Sequence, residues 1–161
     1  MFTLADICDI AIQIENNGER VYREAAGSTQ SPEVARLLEM LAEDEAKHAR
    51  WFEQISANQP LSGKDHSLAQ MGRDLLQETM APHTFSLDVG DLGSAEHPEN
   101  VLSQSIEFEK DTILFYEMLS GFLEDDETKH QLVSIIEEER SHIDKLKEIL
   151  AFKNEMRIQT V

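Results

Sequence analysis

Two Glu-x-x-His motifs, Glu45–His48 and Glu139–His142, contain the residues best suited to chemistry in this chain. Residues three apart on an α-helix lie on the same face, about one turn from each other. A carboxylate and an imidazole in this arrangement can bind one metal ion or two neighbouring ions. A single such motif in an acidic helical protein is weak evidence, because it also occurs on solvated faces. Its occurrence twice favours a metal site.

The two motifs belong to an internal repeat with an offset of 94 residues. Residues 12–55 align with residues 106–149 without a gap, although most positions differ between the halves. Besides the two motifs, the alignment matches Glu15 with Glu109 and Tyr22 with Tyr116. A sparse match that is rich in Glu, Tyr and His is what a duplicated site would leave in the sequence.

Each half of the repeat predicts a helical hairpin. The first covers about residues 5–55, with a break at Gly27 and a new start at Ser31-Pro32, where serine caps the helix and proline takes the first turn. The second covers about residues 98–151, and in it Asp125 is the predicted cap of the last helix.

Residues 56–97 are less regular, with one helical stretch near 66–79, and we expect them to form a long crossover between the hairpins. The predicted fold class is therefore all-α, a four-helix bundle built from two repeated hairpins with the single long connection of ferritin-like proteins. We expect one domain over residues 1–161.

Heptad spacing places the candidate ligands inside this bundle. On the second and fourth helices the inward positions form a mainly apolar seam, which the Glu-x-x-His residues interrupt at the same level in both. The first and third helices each contribute one inward glutamate, Glu15 and Glu109. The inward positions of the second helix are Val34, Leu38, Leu41, Glu45, His48, Phe52 and Ile55, and those of the fourth are Thr128, Leu132, Ile135, Glu139, His142, Leu146 and Ile149.

Four ionised glutamates in an apolar core require a counter-charge, since buried charge must be paired, protonated or bound to metal. Two divalent cations balance four carboxylates if both imidazoles are neutral. One Glu from each of two helices and Glu-x-x-His from the other two is a known arrangement for dimetal sites in bundles. We expect two iron ions, while manganese or a mixed pair also fits this donor set. The predicted metal ligands are Glu15, Glu45, His48, Glu109, Glu139 and His142.

Three further residues lie on the same inward stripes. Tyr22 and Tyr116 follow Glu15 and Glu109 by two turns, so their hydroxyls could orient carboxylates of facing helices or deliver protons; the alternative is an ordinary buried tyrosine. Gly18 costs its helix about 1 kcal/mol relative to alanine. It would leave room for a coordination position or a small oxidant, or allow close helix packing. We interpret Glu43, Asp44, Glu137 and Glu138 as solvated surface charge.

Composition excludes several classes of function. A formal net charge of -18 argues against a nucleic-acid partner, because it repels phosphate backbones. The chain has no run of 18 apolar residues and no basic-then-apolar start, so we expect no membrane span and a cytoplasmic location. Cys8 is the only cysteine, which excludes an internal disulfide and a cysteine-ligated iron centre of the rubredoxin type.

Four segments, with their spacing, resemble the helix motifs of the rubrerythrin-like branch of the ferritin-like superfamily: IENNGERVYREAA, EDEAKHARWF, IEFEKDTILFYE and EEERSHIDKL. The resemblance covers nearly the whole chain. It implies a di-iron carboxylate site that reacts with hydrogen peroxide or dioxygen, and it assigns the same six ligands by motif position.

Two features depart from that family pattern. Rubrerythrins proper carry a rubredoxin domain, which this chain has no cysteines to build. They also have an extra glutamate three residues after the third-helix ligand, where this chain has Thr112, so the redox-linked ligand exchange of rubrerythrins is not implied here.

We therefore expect a protein that reduces hydrogen peroxide or dioxygen with electrons from an external donor, such as a rubredoxin-like protein. One alternative is a ferroxidase or iron-handling protein, which would need a closed shell of subunits to store iron. The other is a non-enzymatic interaction module that metal stabilises. We expect a homo-oligomer, namely a dimer.

Overall fold

The computed structural model describes residues 4–58, 98–121, 123 and 125–159. This part of the chain forms four α-helices and contains no strand, as the sequence predicts. The predicted crossover, apart from its first residues, lies outside the described residues. The helices are α1 (Leu4–Ser28), α2 (Pro32–Asn58), α3 (Pro98–Ser120) and α4 (Asp126–Gln159).

Two helices extend beyond their predicted ends. Helix α2 continues past residue 55 to Asn58, so its last residues belong to the helix and not to the crossover. The sequence has no glycine or proline between residue 55 and Pro60. A proline disfavours the helical conformation of the residue before it. Helix α4 continues past residue 151 to Gln159, again through a segment without glycine or proline.

The second helix of each hairpin begins at a side-chain cap. The backbone N–H of Val34 donates to Ser31 Oγ at 3.4 Å, and Pro32 occupies the first helical position. The backbone N–H of Thr128 donates to Asp125 Oδ2 at 2.7 Å, and its hydroxyl donates to the same oxygen at 2.8 Å. Ser31 and Asp125 are equivalent in the repeat, so both hairpins turn at the same register.

Helix α1 packs along α2, and α3 packs along α4. Contacts between the hairpins show the relative directions of the helices. Tyr22 contacts Glu109 while Tyr116 contacts Glu15, so residue numbers rise on α1 as they fall on α3. These two helices therefore run antiparallel.

Helices α2 and α4 are also antiparallel, because Asp44 contacts His142 whereas Trp51 contacts Gln131. Several of the contacts between hairpins occur in pairs that the offset of 94 interconverts. The repeat in the sequence is thus expressed as an approximate two-fold axis between the hairpins. A site on that axis receives equivalent groups from both halves.

The core is apolar at both ends of the bundle and polar in its middle layer. Leu38, Leu41 and Phe52 of α2 and Leu132 and Leu146 of α4 are buried, which confirms the predicted seam. Of its end positions, Val34 is buried and Ile55, Thr128 and Ile149 are partly buried. No helix in the described part of the chain is long and apolar enough to cross a membrane. The polar layer consists of Glu15, Glu45, His48, Ser105, Glu109, Thr112, Glu139 and His142.

Candidate metal centre

All six candidate ligands lie together in the polar layer. The four glutamates have no exposed surface, and His48 and His142 are 3% and 1% exposed. Helices α1 and α3 each supply one glutamate, and α2 and α4 each supply a Glu-x-x-His motif. The fold therefore brings together every residue that the sequence analysis proposed as a ligand.

The ligand atoms form two overlapping groups, and within each group they all lie within 4.8 Å of one another. The first group contains Glu15 and His48, and the second contains Glu109 and His142. Both groups also contain Glu45 and Glu139. Two ions held by these groups would share Glu45 and Glu139 as bridging carboxylates, with one glutamate and one imidazole completing each side.

The donor atoms themselves indicate that the residues fit a metal pair. In the described part of the chain, eight buried side-chain atoms have no hydrogen-bond partner, and all eight belong to these six residues. Each histidine Nδ1 is 2.9 Å from an oxygen of Glu139, but without hydrogen-bond geometry. Buried polar atoms nearly always have partners. Carboxylate oxygens and imidazole nitrogens converging without them are a suitable donor set for iron or manganese.

The outer nitrogen of each histidine contacts a carboxylate on the opposite hairpin. His48 Nε2 is 2.8 Å from Glu138 Oε2, and His142 Nε2 is 3.4 Å from Asp44 Oδ2. An ionised carboxylate can only accept, so each imidazole donates its outer N–H. This contact orients the ring so that Nδ1 faces the other ligands.

These contacts correct the interpretation of the neighbouring acidic residues. Glu43, Glu137 and Glu138 are exposed, as expected of surface charge, and Asp44 is partly buried, but Asp44 and Glu138 also contact the imidazoles. The pKa of Asp44 reflects these contacts. Burial raises this pKa, but the hydrogen bonds from Lys47 and His142 have the larger effect, and the pKa is lowered. The repeat does not separate Asp44 and Glu138 from Glu43 and Glu137, which are also equivalent positions and both acidic.

The two tyrosines make equivalent contacts with the lone glutamates. Tyr22 donates its hydroxyl to Glu109 Oε1, and Tyr116 donates to Glu15 Oε1, each across the hairpin interface. Burial and the nearby carboxylates raise the pKa of both phenols well above its usual value, so both remain protonated donors. The other oxygen of each glutamate, Oε2, is buried and has no hydrogen-bond partner.

The pKa values of the glutamates in the polar layer are shifted because four carboxylates lie close together there. Burial raises the pKa of Glu45 well above its usual value, and repulsion from Glu139, Glu15 and Glu109 adds to this effect. Burial and repulsion from Glu139 likewise raise the pKa of Glu109 to about 8. Burial also opposes ionisation of Glu139, but the adjacent His142 and His48 lower its pKa below the usual value.

The histidines respond to the same charges. Burial alone lowers the pKa of His48, but Glu139 and Glu15 reverse that effect and raise it to about 12. In the same way Glu109 and Glu139 raise the pKa of His142 to about 10. Without a metal, protons on these groups balance part of the negative charge. Bound cations would replace them.

Gly18 makes room for a ligand. A Cβ atom at this position would lie 2.8 Å from Glu45 Oε2, which is closer than Cβ atoms approach other heavy atoms in proteins. The space beside Gly18 therefore holds the Glu45 carboxylate. The equivalent position on α3 is Thr112, which is buried and donates its hydroxyl to the Phe108 carbonyl at 3.0 Å.

Comparison with known proteins agrees with this geometry. The rubrerythrin family model matches residues 6–150. A Thermotoga maritima crystal structure, provisionally described as a ferritin-like diiron-carboxylate protein, is 23% identical with a TM-score of 0.66, over 93% of this chain and 95% of that chain. This likeness shows the fold, a ferritin-like bundle, as predicted. Curated proteins give no significant match. The family match spans most of the chain, and the protein therefore belongs to the rubrerythrin family.

Proposed function

We propose that this protein binds two iron ions through the six buried ligands and reduces hydrogen peroxide, or dioxygen, with electrons from a separate donor protein. The observation that carries the proposal is the convergence of eight unpartnered nitrogen and oxygen atoms in the middle of an apolar bundle. Membership of the rubrerythrin family supports iron over manganese, although the donor set accepts either.

The ligands divide into three roles in this proposal. Glu45 and Glu139 would hold both ions, because they belong to both groups of donor atoms. Glu15 with His48 would hold one ion, and Glu109 with His142 would hold the other. When bound, the iron pair supplies the two electrons that reduce a peroxide to water.

The side chains around the ligands carry protons and fix the orientation of the ligand carboxylates. Tyr22 and Tyr116 keep Oε1 of Glu109 and Glu15 occupied, so that Oε2 of each glutamate stays directed into the site. Both phenols are buried, and each has a proton next to a ligand carboxylate. Reduction of peroxide to two waters consumes two protons, and these tyrosines are the nearest hydroxyl donors to Glu15 and Glu109 on the described helices.

The residues of this chain cannot build a cysteine-ligated centre that would deliver electrons. The chain has one cysteine, Cys8, and its side chain is buried. Burial and the neighbouring Asp9 raise the pKa of its thiol to about 12, which disfavours the thiolate that binds metals.

The direct test is anaerobic mixing of the ferrous protein with hydrogen peroxide, followed by stopped-flow absorbance. We expect fast oxidation of two irons per peroxide, and much slower oxidation in Glu45→Gln, which lacks a charged bridging carboxylate. Glu43→Gln is the matched control, since Glu43 is an exposed carboxylate on the same helix. Equal oxidation rates for the unaltered protein and Glu45→Gln would contradict the proposal. The same experiment with dioxygen shows which of the two oxidants reacts faster.

The fate of the iron distinguishes the proposed reaction from iron handling. In the proposed reaction, iron remains bound after oxidation, and an added one-electron reductant restores the ferrous state for further turnover. A ferroxidase would release ferric iron and take up fresh ferrous iron without a reductant. Metal analysis of protein and filtrate after each oxidation therefore separates the two functions.

A further inference from the structure

Three aromatic rings lead from the side of α2 to the metal centre. The ring centroids of Trp51 and Phe52 are 4.8 Å apart and nearly perpendicular, and those of Phe52 and Tyr116 are 5.0 Å apart. Tyr116 in turn donates its hydroxyl to Glu15. The indole and the phenol are therefore within about 10 Å of each other, with the Phe52 ring between them.

The two ends of this row have different environments. Trp51 is only partly buried, whereas Phe52 and Tyr116 have no exposed surface. The indole Nε1–H donates to Gln131 Oε1 at 2.8 Å, which ties the ring to α4 and fixes its orientation. The row thus begins where another molecule can approach and ends on a ligand carboxylate.

The row has no counterpart on the other side of the approximate two-fold axis. Most features of the centre appear twice through the offset of 94, including both tyrosines, but the positions equivalent to Trp51 and Phe52 are Lys145 and Leu146. Leu146 is fully buried, so an aliphatic side chain satisfies the packing at that position. Core packing by itself therefore does not require the aromatic rings at 51 and 52.

We propose that Trp51, Phe52 and Tyr116 form a one-electron path between the protein surface and the Glu15 side of the metal centre. Tryptophan and tyrosine can each lose one electron under conditions that leave phenylalanine intact. Trp51 and Tyr116 are therefore the residues that become oxidised in turn, and the Phe52 ring lies between them without being oxidised. An external one-electron donor that approaches the partly exposed indole would supply the centre through this path.

The hydrogen bond from Tyr116 to Glu15 determines where the phenol proton goes when Tyr116 loses an electron. When the indole radical cation of Trp51 takes one electron from Tyr116, the phenol proton moves to Glu15 Oε1 and leaves a neutral tyrosyl radical. In the reverse direction, the tyrosyl radical takes one electron from Trp51 and one proton from Glu15. A one-electron reductant at the surface then returns Trp51 to its neutral form.

The use of this path to supply electrons rests on the proposed function, but its existence does not. The full-length chain can be loaded with zinc, which has no redox chemistry, so the measurement does not depend on any reaction with peroxide. A photo-oxidised ruthenium polypyridyl complex removes an electron at the surface, and transient absorption with electron paramagnetic resonance follows the radicals. The chain has one tryptophan and two tyrosines, so the indole radical is Trp51 and a tyrosyl radical is Tyr22 or Tyr116.

We expect the tyrosyl radical to form as the Trp51 radical decays. Trp51→Phe should lower its yield several-fold, and Tyr116→Phe should abolish it while Tyr22→Phe leaves it. Phe52→Leu, which installs the residue found at position 146, should slow the transfer several-fold. Phe115→Leu is the matched control, because its ring centroid lies 5.8 Å from that of Tyr116 but outside the row.

The proposal is overturned if Trp51→Phe leaves the tyrosyl yield unchanged, or if Tyr22→Phe abolishes the signal instead of Tyr116→Phe. It is also overturned if Phe115→Leu slows the transfer as much as Phe52→Leu. Circular dichroism of each zinc-loaded variant checks the fold. If Phe52→Leu is unfolded, the conservative changes at Trp51, Tyr22 and Tyr116 still decide. Failure of the peroxide experiment together with normal radical transfer would refute the proposed function and leave the path intact.

Discussion

At the scale of single residues, four of the six ligands, namely His48, His142, Glu15 and Glu109, have one unpartnered atom and a second atom that contacts a supporting side chain. His48 directs Nδ1 inward while Nε2 contacts Glu138, and Glu15 directs Oε2 inward while Oε1 accepts from Tyr116. A side chain that is held at its outer atom loses less freedom when its inner atom binds a cation. The supporting residues therefore act on metal affinity without being ligands.

Gly18→Ala should weaken metal binding without loss of helix. The new Cβ atom would meet Glu45 Oε2 at 2.8 Å and displace this carboxylate, which belongs to both groups of candidate ligands. We expect affinity to fall on the order of tenfold, which corresponds to about 1.4 kcal/mol. Isothermal titration with manganese measures the loss. Gly27→Ala is the control, because a Cβ atom there meets nothing within 4 Å. Equal affinities for both variants would show that the Glu45 carboxylate moves aside at no cost.

Asp44→Ala and Glu138→Ala should each weaken metal binding, because each removes the carboxylate that orients one imidazole. Loss of such a partner typically lowers affinity by about tenfold or more. The same titration of Glu43→Ala, an exposed neighbour, should match the unaltered protein. If all three variants bind alike, then burial alone holds the histidine rings.

At the scale of elements, each helix provides ligands at a level that its cap and its partner determine. Ser31 and Asp125 start α2 and α4 at equivalent residues, and the Glu-x-x-His motifs follow each cap at the same distance along the chain. A shift in either start would move the apolar seam and its polar layer together. The caps thus contribute both to stability and to the alignment of the two half-sites.

Asp125→Ala should destabilise the protein at neutral pH more than at acidic pH. Hydrogen bonds from Thr128 lower the pKa of Asp125, so the ionised form is favoured in the folded state. A lowered carboxyl pKa stabilises the fold above the unfolded-state pKa, and this contribution is lost as the pH falls through the folded-state pKa. Urea unfolding of both proteins across acidic and neutral pH measures the difference.

Ser31→Ala removes the equivalent cap without a titrating group, at a cost of about 1 kcal/mol. Its effect on the free energy of unfolding should be nearly constant over the same pH range. A pH dependence that is equal for the Ser31 and Asp125 variants would show that it arises elsewhere in the protein.

At the scale of the whole molecule, the bundle combines two nearly equivalent hairpins around a charged layer. Contacts such as Tyr22 with Glu109 and Tyr116 with Glu15 repeat across the approximate axis, whereas the aromatic row at Trp51 does not. Duplication accounts for the symmetric ligand set. Differences between the halves, at Gly18 and Thr112 and at Phe52 and Leu146, are where the two sides of the centre can differ in chemistry.

Removal of metal should lower the thermal stability of the whole bundle, because the four glutamates with no exposed surface lose their counter-charge. A ligand that binds only the folded state adds about 2.7 kcal/mol at about 100 times its Kd. Melting curves with a chelator and with increasing manganese or iron should show Tm rising with free metal concentration. A Tm that does not depend on metal would mean that protons alone satisfy the layer. Light scattering of the same samples tests the expected dimer.

The sequence alone determined the hairpins, the inward faces and the set of six candidate ligands. Helical periodicity assigns each residue to a face, and the offset of 94 marks the positions that both halves retain. The all-α, ferritin-like bundle was predictable for the same reason. Local signals such as Ser31-Pro32 also located the helix starts, while the ends of α2 and α4 were set too early because no strong stop signal marked them.

Only the tertiary structure decided which side chains meet across helices. Periodicity places Asp44 and Glu138 just off the inward seam, but their contacts with the histidines depend on how closely α2 and α4 approach. The same holds for the Glu45 carboxylate beside Gly18 and for the row from Trp51 to Tyr116. Such contacts depend on interhelical distance, crossing angle and side-chain rotamers, and a one-dimensional pattern contains none of these.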